Sequence, residues 1–508
     1  MSRSHRSSTQ APLTLSPRAY PLEAAPWAAR LDVETALAAL ESRGGLVCLD
    51  SAGGAPARWS LIAFDPLVSF EGADAPADLD ALAAALARVE LDPTALADPL
   101  VASSPFCGGF VGALAYDLGV RGEVLDLPPP EWPAPPIVGG LYGDWLLIEP
   151  GSGGATLFLS DVPGRAPAAE RSAAILGALE EAATGPRPGA LAGGELVAAA
   201  RAVPAEEHMA RIDRTRALIE AGEIYQANVA HRLNVDVAAA DVELYRTLRA
   251  ANPAPYMGLC RFRFLDGAAG ALLSSSPELL LELGPDGTGA RVARTRPIKG
   301  TAPRGETPAE DAASRARLLA SDKDLAELAM IVDLERNDLG RVAEAGGVEV
   351  RGFPTLESYA TVHHLVADVR ARLRPDATAV DVIGALFPGG SITGAPKLRS
   401  MEAIAALEGE GRGFFTGSLG FVDARGRAVL NILIRTLVHR ETDAGREVSL
   451  HVGGGITWRS DPALEDAETG HKADGLLRAL APHAIGRAAP HEGDLQGGRP
   501  EPSTHTQR

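Results

Sequence analysis

Several short stretches of the chain carry residues that could do chemistry on a small polar molecule. Lys299 lies in Pro297-Ile298-Lys299-Gly300-Thr301. A primary amine is nucleophilic only after it loses its proton, so this lysine needs burial or a neighbouring cation. Glu278 sits in SSSPELLLEL, between two strand-like runs. A carboxyl among apolar neighbours keeps its proton to higher pH and can serve as a general acid. Asp324 and Glu327 are three residues apart, as are Glu465 and Glu468, with Lys472 at the next turn. On a helix that spacing puts both carboxylates on one face. Two such helices would offer a hard cation such as Mg²⁺ oxygen ligands from different elements, with positions left for water and substrate. Solvated helix faces with Glu/Lys pairs show the same spacing, so the pattern alone leaves both readings open.

Two glycine-rich segments could cradle an anion. FPGGSITGAPK, residues 387–397, places three glycines around Ser391 and Thr393 just before the helical run LRSMEAIAAL. Backbone N–H groups at such a turn can bind a carboxylate or phosphate; the P-loop spacing is absent. HVGGGITW, residues 451–458, is the second, where missing side chains let a ligand approach the backbone. Either could equally be a tight structural turn. Arg435, in the apolar run NILIRTLV, is either ion-paired or a fork for a carboxylate. His364, in VHHLV, is a core or a catalytic histidine.

These residues need elements to hold them. The spacing predicts a helix over 321–339, with Ser321 as N-cap and Leu325, Leu328 and Val332 on its apolar side. A second, over 461–480, opens on Asp461-Pro462, a cap and first-turn pair. A third runs from Glu206 to Gly222, with Met209, Ile212 and Ile219 on one stripe. RFRFL, GALLSSS, GSLGFVDA and VLNILIRTLV read as strands. Strands in runs with helices between them imply an α+β fold with antiparallel sheets. Residues 1–20 and 485–508 are expected to be a disordered leader and tail. Residues 21–190 form a first region, and 198–484 a second that holds nearly all the candidate chemistry.

Composition narrows the classes. The chain has 508 residues, 46% hydrophobic and 22% charged, which is a globular balance. Lysines and arginines number 48 against 66 acids, for a net charge of −18. That disfavours nucleic acid as a partner. It also means that an anionic substrate must meet local cations, backbone N–H groups or a metal ion. No run of ~18 apolar residues predicts a membrane span. The basic start has no apolar stretch after it, so no secretory signal is expected and the cytoplasm is the expected compartment. Cys48, Cys107 and Cys260 are too few and too far apart for a disulfide framework or a metal motif, and read as ordinary thiols.

Taken together, the segments GEIYQANVAHR, SSSPELL, RPIKGT, SDKDLAELAMIVDLERNDLGRV, VHHLV, FPGGSITGAPKLRSMEAI, GSLGFVD, ILIRTL and GGGITWRSDPALEDAETGHKA closely resemble those of the chorismate-binding family. That family includes anthranilate synthase component I, aminodeoxychorismate synthase component I, and the isochorismate and salicylate synthases. The matches run in family order over about residues 205–480; LDS, RWSLIAFDP, PFCGGFVGALAYDLG and GDWLL extend the likeness more loosely toward the N-terminus.

The resemblance implies a large two-subdomain sandwich of antiparallel sheets flanked by helices, acting on chorismate with Mg²⁺. It makes Glu327 and Glu468 the direct metal ligands, with Asp324 and Glu465 as outer acids. Glu278 becomes the general acid that helps the ring hydroxyl leave. Arg435, Lys472, Thr393 and Gly453, Gly454 and Gly455 become groups that hold the two carboxylates; Thr301 and Ser391 are expected in the same site, and His364 beside the ring. Relatives that add water carry a lysine in the segment that reads YQANVAHR here; Gln226 stands there, which implies ammonia as nucleophile. Anthranilate synthases carry alanine where this chain has Lys299, and the PIKGT form belongs to the branch that aminates C4. The implied activity is therefore conversion of chorismate and ammonia to 4-amino-4-deoxychorismate, for p-aminobenzoate and folate, with anthranilate formation as the alternative.

Two positions depart from the family pattern. Phe421 replaces a tyrosine expected to touch the pyruvyl carboxylate, and Asp50 replaces the glutamate of a tryptophan pocket. Asp50, Ser51, Pro255, Tyr256 and Met257 would line that pocket, leaving open whether tryptophan binds. No cysteine lies in a GxCxG-type elbow, so a separate glutamine amidotransferase subunit is expected to deliver ammonia.

Overall fold

The computed structural model describes residues 12–52, 59–72, 75–149, 154–186, 194, 197–359 and 362–485. Two sheets form its centre, of 13 and 10 strands among the described residues. Nearly every pairing is antiparallel; Leu13–Pro21 with Val89–Leu91 is parallel. Side chains alternate between faces along each strand. In the larger sheet Cys48, Ile62, Leu146 and Leu259 face one way, into a core packed under helices. Their neighbours Val47, Leu61, Trp145, Leu147 and Cys260 face the other way. There they meet Val111, Ala113, Val138 and Tyr142 of the smaller sheet. The outer face of the smaller sheet, with Phe110 and Leu141, packs on the helices Ala379–Leu386 and Asp322–Gly340. The result is the expected α+β sandwich, helices outside and two sheets between. All three cysteines are buried and free.

The two sequence regions do not form two layers. Val47–Asp50 pairs with Tyr256–Arg263 in the larger sheet, and Gly109–Leu114 pairs with Ser418–Asp423 in the smaller. The expected leader also needs correction. Leu13–Pro21 is a strand, paired from Ser16↔Asp161 to Pro21↔Thr156, with Leu15 fully buried. Its two prolines read as breakers in sequence, yet the strand keeps its place through the alternation of buried Leu15 with polar neighbours. Residues 1–11 and 486–508 lie outside the described part. Among the described residues no helix is long and apolar enough to cross a membrane.

The helices over the site follow their caps. Ser321 accepts from the Asp324 N–H and opens Asp322–Gly340. Asp461 accepts from Ala463 and Leu464 and opens Pro462–Leu480. The run VLNILIRTLV, expected as one strand, is two. Ala428–Asn431 belongs to the smaller sheet and Thr436–Thr442 to the larger, so the chain crosses between sheets at 432–435. A continuous apolar run hides such a break, because both halves are buried.

Candidate active site

Two crossovers between the sheets lie side by side and carry the acid and the guanidinium. The chain passes from Ala269–Ser276 in the larger sheet to Leu279–Pro285 in the smaller one, and Glu278 sits at that passage. The second passage carries Arg435 in the left-handed region, at φ 51°. They are tied by the N–H groups of Ile432 and Ser275, which donate to the carbonyls of Glu278 and Arg435 at 3.1 and 3.0 Å. A left-handed non-glycine residue costs energy and persists only where its surroundings enforce it. Here it turns Arg435 into a cavity, where its guanidinium has no hydrogen bond or ion pair among the described residues. The choice left open by the sequence falls on the free fork.

Lys299 enters the same cavity from Ile298–Pro303 of the smaller sheet. The pairing of this strand with Val362–Leu373 slips between Ile298 and Thr301, and Gly300 takes φ 84°. Such a bulge re-aims a side chain. A Cβ on Gly300 would come 3.0 Å from Asp324 and Leu318, so glycine also lets the first acidic helix approach. Lys299 Nζ donates to the Ser391 carbonyl at 3.1 Å. Burial pushes its pKa down, against the pull of Glu327 and Glu278. Burial pushes the Glu278 carboxyl up, although Ser391, the Lys299 charge and the Ile298 N–H oppose it. One wall thus holds a lysine biased toward the free amine and a carboxyl biased toward the acid.

The two acidic helices border the same cavity. Asp324 and Glu327 from one, and Glu465 and Glu468 from the other, line the same cavity of about 820 Å³. Burial raises the Glu327 pKa, and its Oε1 is shielded from solvent with no hydrogen-bond partner. Ser460 Oγ donates to Glu465 at 2.7 Å. Lys472 pairs with Glu468 at 2.8 Å and donates to the Gly453 carbonyl at 2.8 Å. Against the desolvation of burial, this ammonium holds Glu468 below the usual glutamate range. An orphaned carboxylate oxygen among convergent acids from two helices fits a hard divalent cation.

The remaining predicted residues fall into place unevenly. Thr301 Oγ1 and His364 Nδ1 are 2.9 Å apart at the cavity edge. Burial, with help from the Arg435 charge, pushes the imidazole down to about 4, so it stays neutral. Ser391 lines the cavity beside Glu278. The loop carrying it is held to the first acidic helix by Lys397, which pairs with Asp338 at 2.7 Å. Gly453 and Gly455 line the cavity; Gly454 is not among the lining residues. Thr393 is fully buried and its hydroxyl donates to Gly389 of its own loop at 2.9 Å, so it supports the turn. Gln226 is fully buried behind Gly455, where a Cβ would come 2.5 Å from its Nε2 and 3.3 Å from Lys299 Nζ. Both of its amide atoms lack partners.

Phe421, like Thr393 and Gly454, is not among the residues lining the cavity, and others not expected from sequence are. Phe421 is buried against the Trp59 and Phe106 rings, so the expected hydroxyl contact does not belong to this position. The aromatic that lines the cavity is Phe415, stacked on His451 at 4.9 Å. Lys323 was not singled out in sequence. Its Nζ lies 3.4 Å from Glu465 and 4.0 Å from Glu327. The Lys323/Glu327 spacing was visible but matches any solvated helix face.

Asp50, Ser51, Pro255, Tyr256 and Met257 do gather round one pocket, of only about 50 Å³. Asp50 is buried and occupied by Arg249 at 2.7 Å, Ser60 at 2.7 Å and Tyr245 at 3.2 Å. Elsewhere, His208, His231 and Asp466 bring possible ligand atoms within 4.8 Å of one another. Asp466 there is bound by Arg201 at 2.7 Å and by His208 at 2.8 Å. A guanidinium on the only carboxylate of the group marks a hydrogen-bonded core network.

With fold and cavity in view, comparison places the chain among known proteins. The chorismate binding enzyme family model matches residues 47–478, and the chain belongs to that family. It is 46% identical over 277 residues to anthranilate synthase component 1 1 of Haloarcula marismortui, covering 54% of this chain and 54% of that one. The match thus spans about half the length of that relative. It is 38% identical over 379 residues to aminodeoxychorismate synthase component 1 of Klebsiella aerogenes, covering 74% and 78%. The crystal structure of anthranilate synthase component I from Streptococcus pneumoniae superposes with a TM-score of 0.68 at 26% identity, covering 84% and 93%. Names among the relatives therefore divide between anthranilate synthase and aminodeoxychorismate synthase.

Proposed function

We propose that the chain aminates chorismate at C4, giving 4-amino-4-deoxychorismate with ammonia from a separate glutamine amidotransferase. Lys299 carries this reading: an amine in the cavity, free of ion pairs among the described residues and biased toward its neutral form. In this scheme Arg435, with its unpaired fork, and Lys472 hold the carboxylates of the substrate. The Lys299 amine attacks C2, both ring double bonds shift round the C1 side of the ring toward C4, and the C4 hydroxyl leaves as water with the proton of Glu278. Ammonia then attacks C4, both double bonds shift back, the C2–N bond breaks to release the lysine, and a proton of the new ammonium group returns to Glu278. Neutral His364 borders the ring without adding a competing charge. Glu327 and Glu468 would hold Mg²⁺ with Asp324 and Glu465 behind them, and the ion would neutralise a substrate carboxylate. Gln226, with no proton-accepting amine or carboxylate, suits a site that takes ammonia in preference to activating water.

Formation of anthranilate is the competing reading, favoured by the name of the Haloarcula relative and disfavoured by Lys299. The deciding experiment incubates purified protein with chorismate, Mg²⁺ and ammonium, then reads products by chromatography and adducts by intact mass. Expected are 4-amino-4-deoxychorismate from the wild type and a chorismate-derived adduct that vanishes in Lys299→Ala. Product formation in that variant should fall at least about a thousandfold. Anthranilate as the sole wild-type product, or an adduct that survives in Lys299→Ala, overturns the proposal.

A further inference from the structure

The inference concerns Lys323 and rests on the metal reading above. The acids of the two helices, Asp324, Glu327, Glu465 and Glu468, share the cavity with three lysines, Lys299, Lys323 and Lys472. Each lysine has a different tether. Lys299 is held by the Ser391 carbonyl, and Lys472 by both Glu468 and the Gly453 carbonyl. Among the described residues Lys323 is held only by carboxylates and joins the two helices, 3.4 Å from Glu465 on one and 4.0 Å from Glu327 on the other. The Glu465 oxygen it meets also accepts from Ser460, whereas the Glu327 oxygen has no hydrogen-bond partner. The Lys323 side chain is 46% exposed, against 12% for Glu327 and 7% for Glu465. A long side chain rooted on an exposed helix face can turn its ammonium to solvent without disturbing the core.

We propose that Lys323 is a displaceable counter-ion: it occupies the gap between the two acidic helices until a divalent cation binds there, and then swings out to solvent. The charges of Asp324 and Glu465 both push the buried Glu327 carboxyl up, so these carboxylates repel one another. A tethered ammonium relieves that repulsion without loaded metal and keeps both helices in place. The cost is competition, because the cation must evict the lysine from Glu327 and Glu465. Metal affinity is then held below what the acids alone would give.

Manganese binding, read by electron paramagnetic resonance and calorimetry on the full chain without substrate, tests this. Lys323→Met keeps the stem and removes the charge. It should bind Mn²⁺ about tenfold or more tightly than the wild type. Without metal it should melt below the wild type, and it should gain more on adding Mn²⁺. Lys323→Arg keeps the charge and should stay near wild-type affinity, which separates charge from fold. Equal or weaker Mn²⁺ binding by Lys323→Met, with the wild type binding normally, overturns displacement and leaves the metal reading standing. No Mn²⁺ binding by either protein overturns both.

Discussion

Two concavities of this chain were named from its sequence, and they differ in how they treat buried charge. In the large cavity polar groups are left open: the Arg435 fork and the Glu327 Oε1 have no hydrogen-bond partner among the described residues. In the small pocket Asp50 is met by Arg249, Ser60 and Tyr245. Unsatisfied buried groups cost about 1–3 kcal/mol each, so a fold retains them where a ligand completes them. Satisfied ones hold the protein together. The contrast reads one concavity as a site and the other as structure.

The sharpest way to break that contrast is to remove the open fork. Arg435→Gln keeps a planar amide but loses the charge and the second donor pair. Charge-assisted bonds to a carboxylate are worth about 2–3 kcal/mol, so kcat/KM for chorismate should fall roughly 30- to 150-fold. Lysine at this position should rescue little, because a point charge does not replace a fork. Steady-state kinetics with unfolding curves checks this, since folding should barely change. A kcat/KM within about threefold of wild type would mean that the fork is not the carboxylate site.

The reverse change belongs in the small pocket. Asp50→Asn leaves Arg249, at 2.7 Å, without its nearest charge, although Glu34 stands 3.7 Å away. Breaking a largely buried pair from one side destabilises, here by about 2–4 kcal/mol, because the remaining charge stays desolvated. Urea unfolding should show this loss while chorismate turnover per folded molecule is retained. Lost turnover with unchanged stability would reverse the assignment of the two concavities.

The same contrast explains what was legible in the sequence. The acid pairs were legible because spacing on a helix fixes a shared face, and the caps Ser321 and Asp461 fixed where those helices begin. Glu278 was legible as lying between two strands. What could not be read was the partner of each group. Arg435 looked like a strand residue because the apolar run conceals the change of sheet at 432–435. Lys323 drew no notice because its partner Glu465 is 142 residues away. Phe421 drew attention by motif, whereas Phe415, six residues earlier, faces the cavity. The strand Leu13–Pro21 owes its order to pairing with Gly154–Asp161, a contact that no local pattern encodes. Local rules give faces and caps; long-range pairing decides which face meets which.

The smallest expected effect is the response to tryptophan. The pocket beside Asp50 has about 50 Å³, room for a few waters at ~10–15 Å³ apiece. An indole would need Tyr256 and Met257 to move, and an ammonium group would find the Asp50 carboxylate already taken by Arg249. A ligand that must displace an internal ion pair gains little for that contact. Free tryptophan at millimolar concentration should therefore leave both the melting temperature and chorismate turnover unchanged. A rise in melting temperature that disappears in Asp50→Asn would show that the pocket opens to take the amino acid. The Arg249 pair would then be a latch, and the line between open and satisfied charge would no longer separate site from structure.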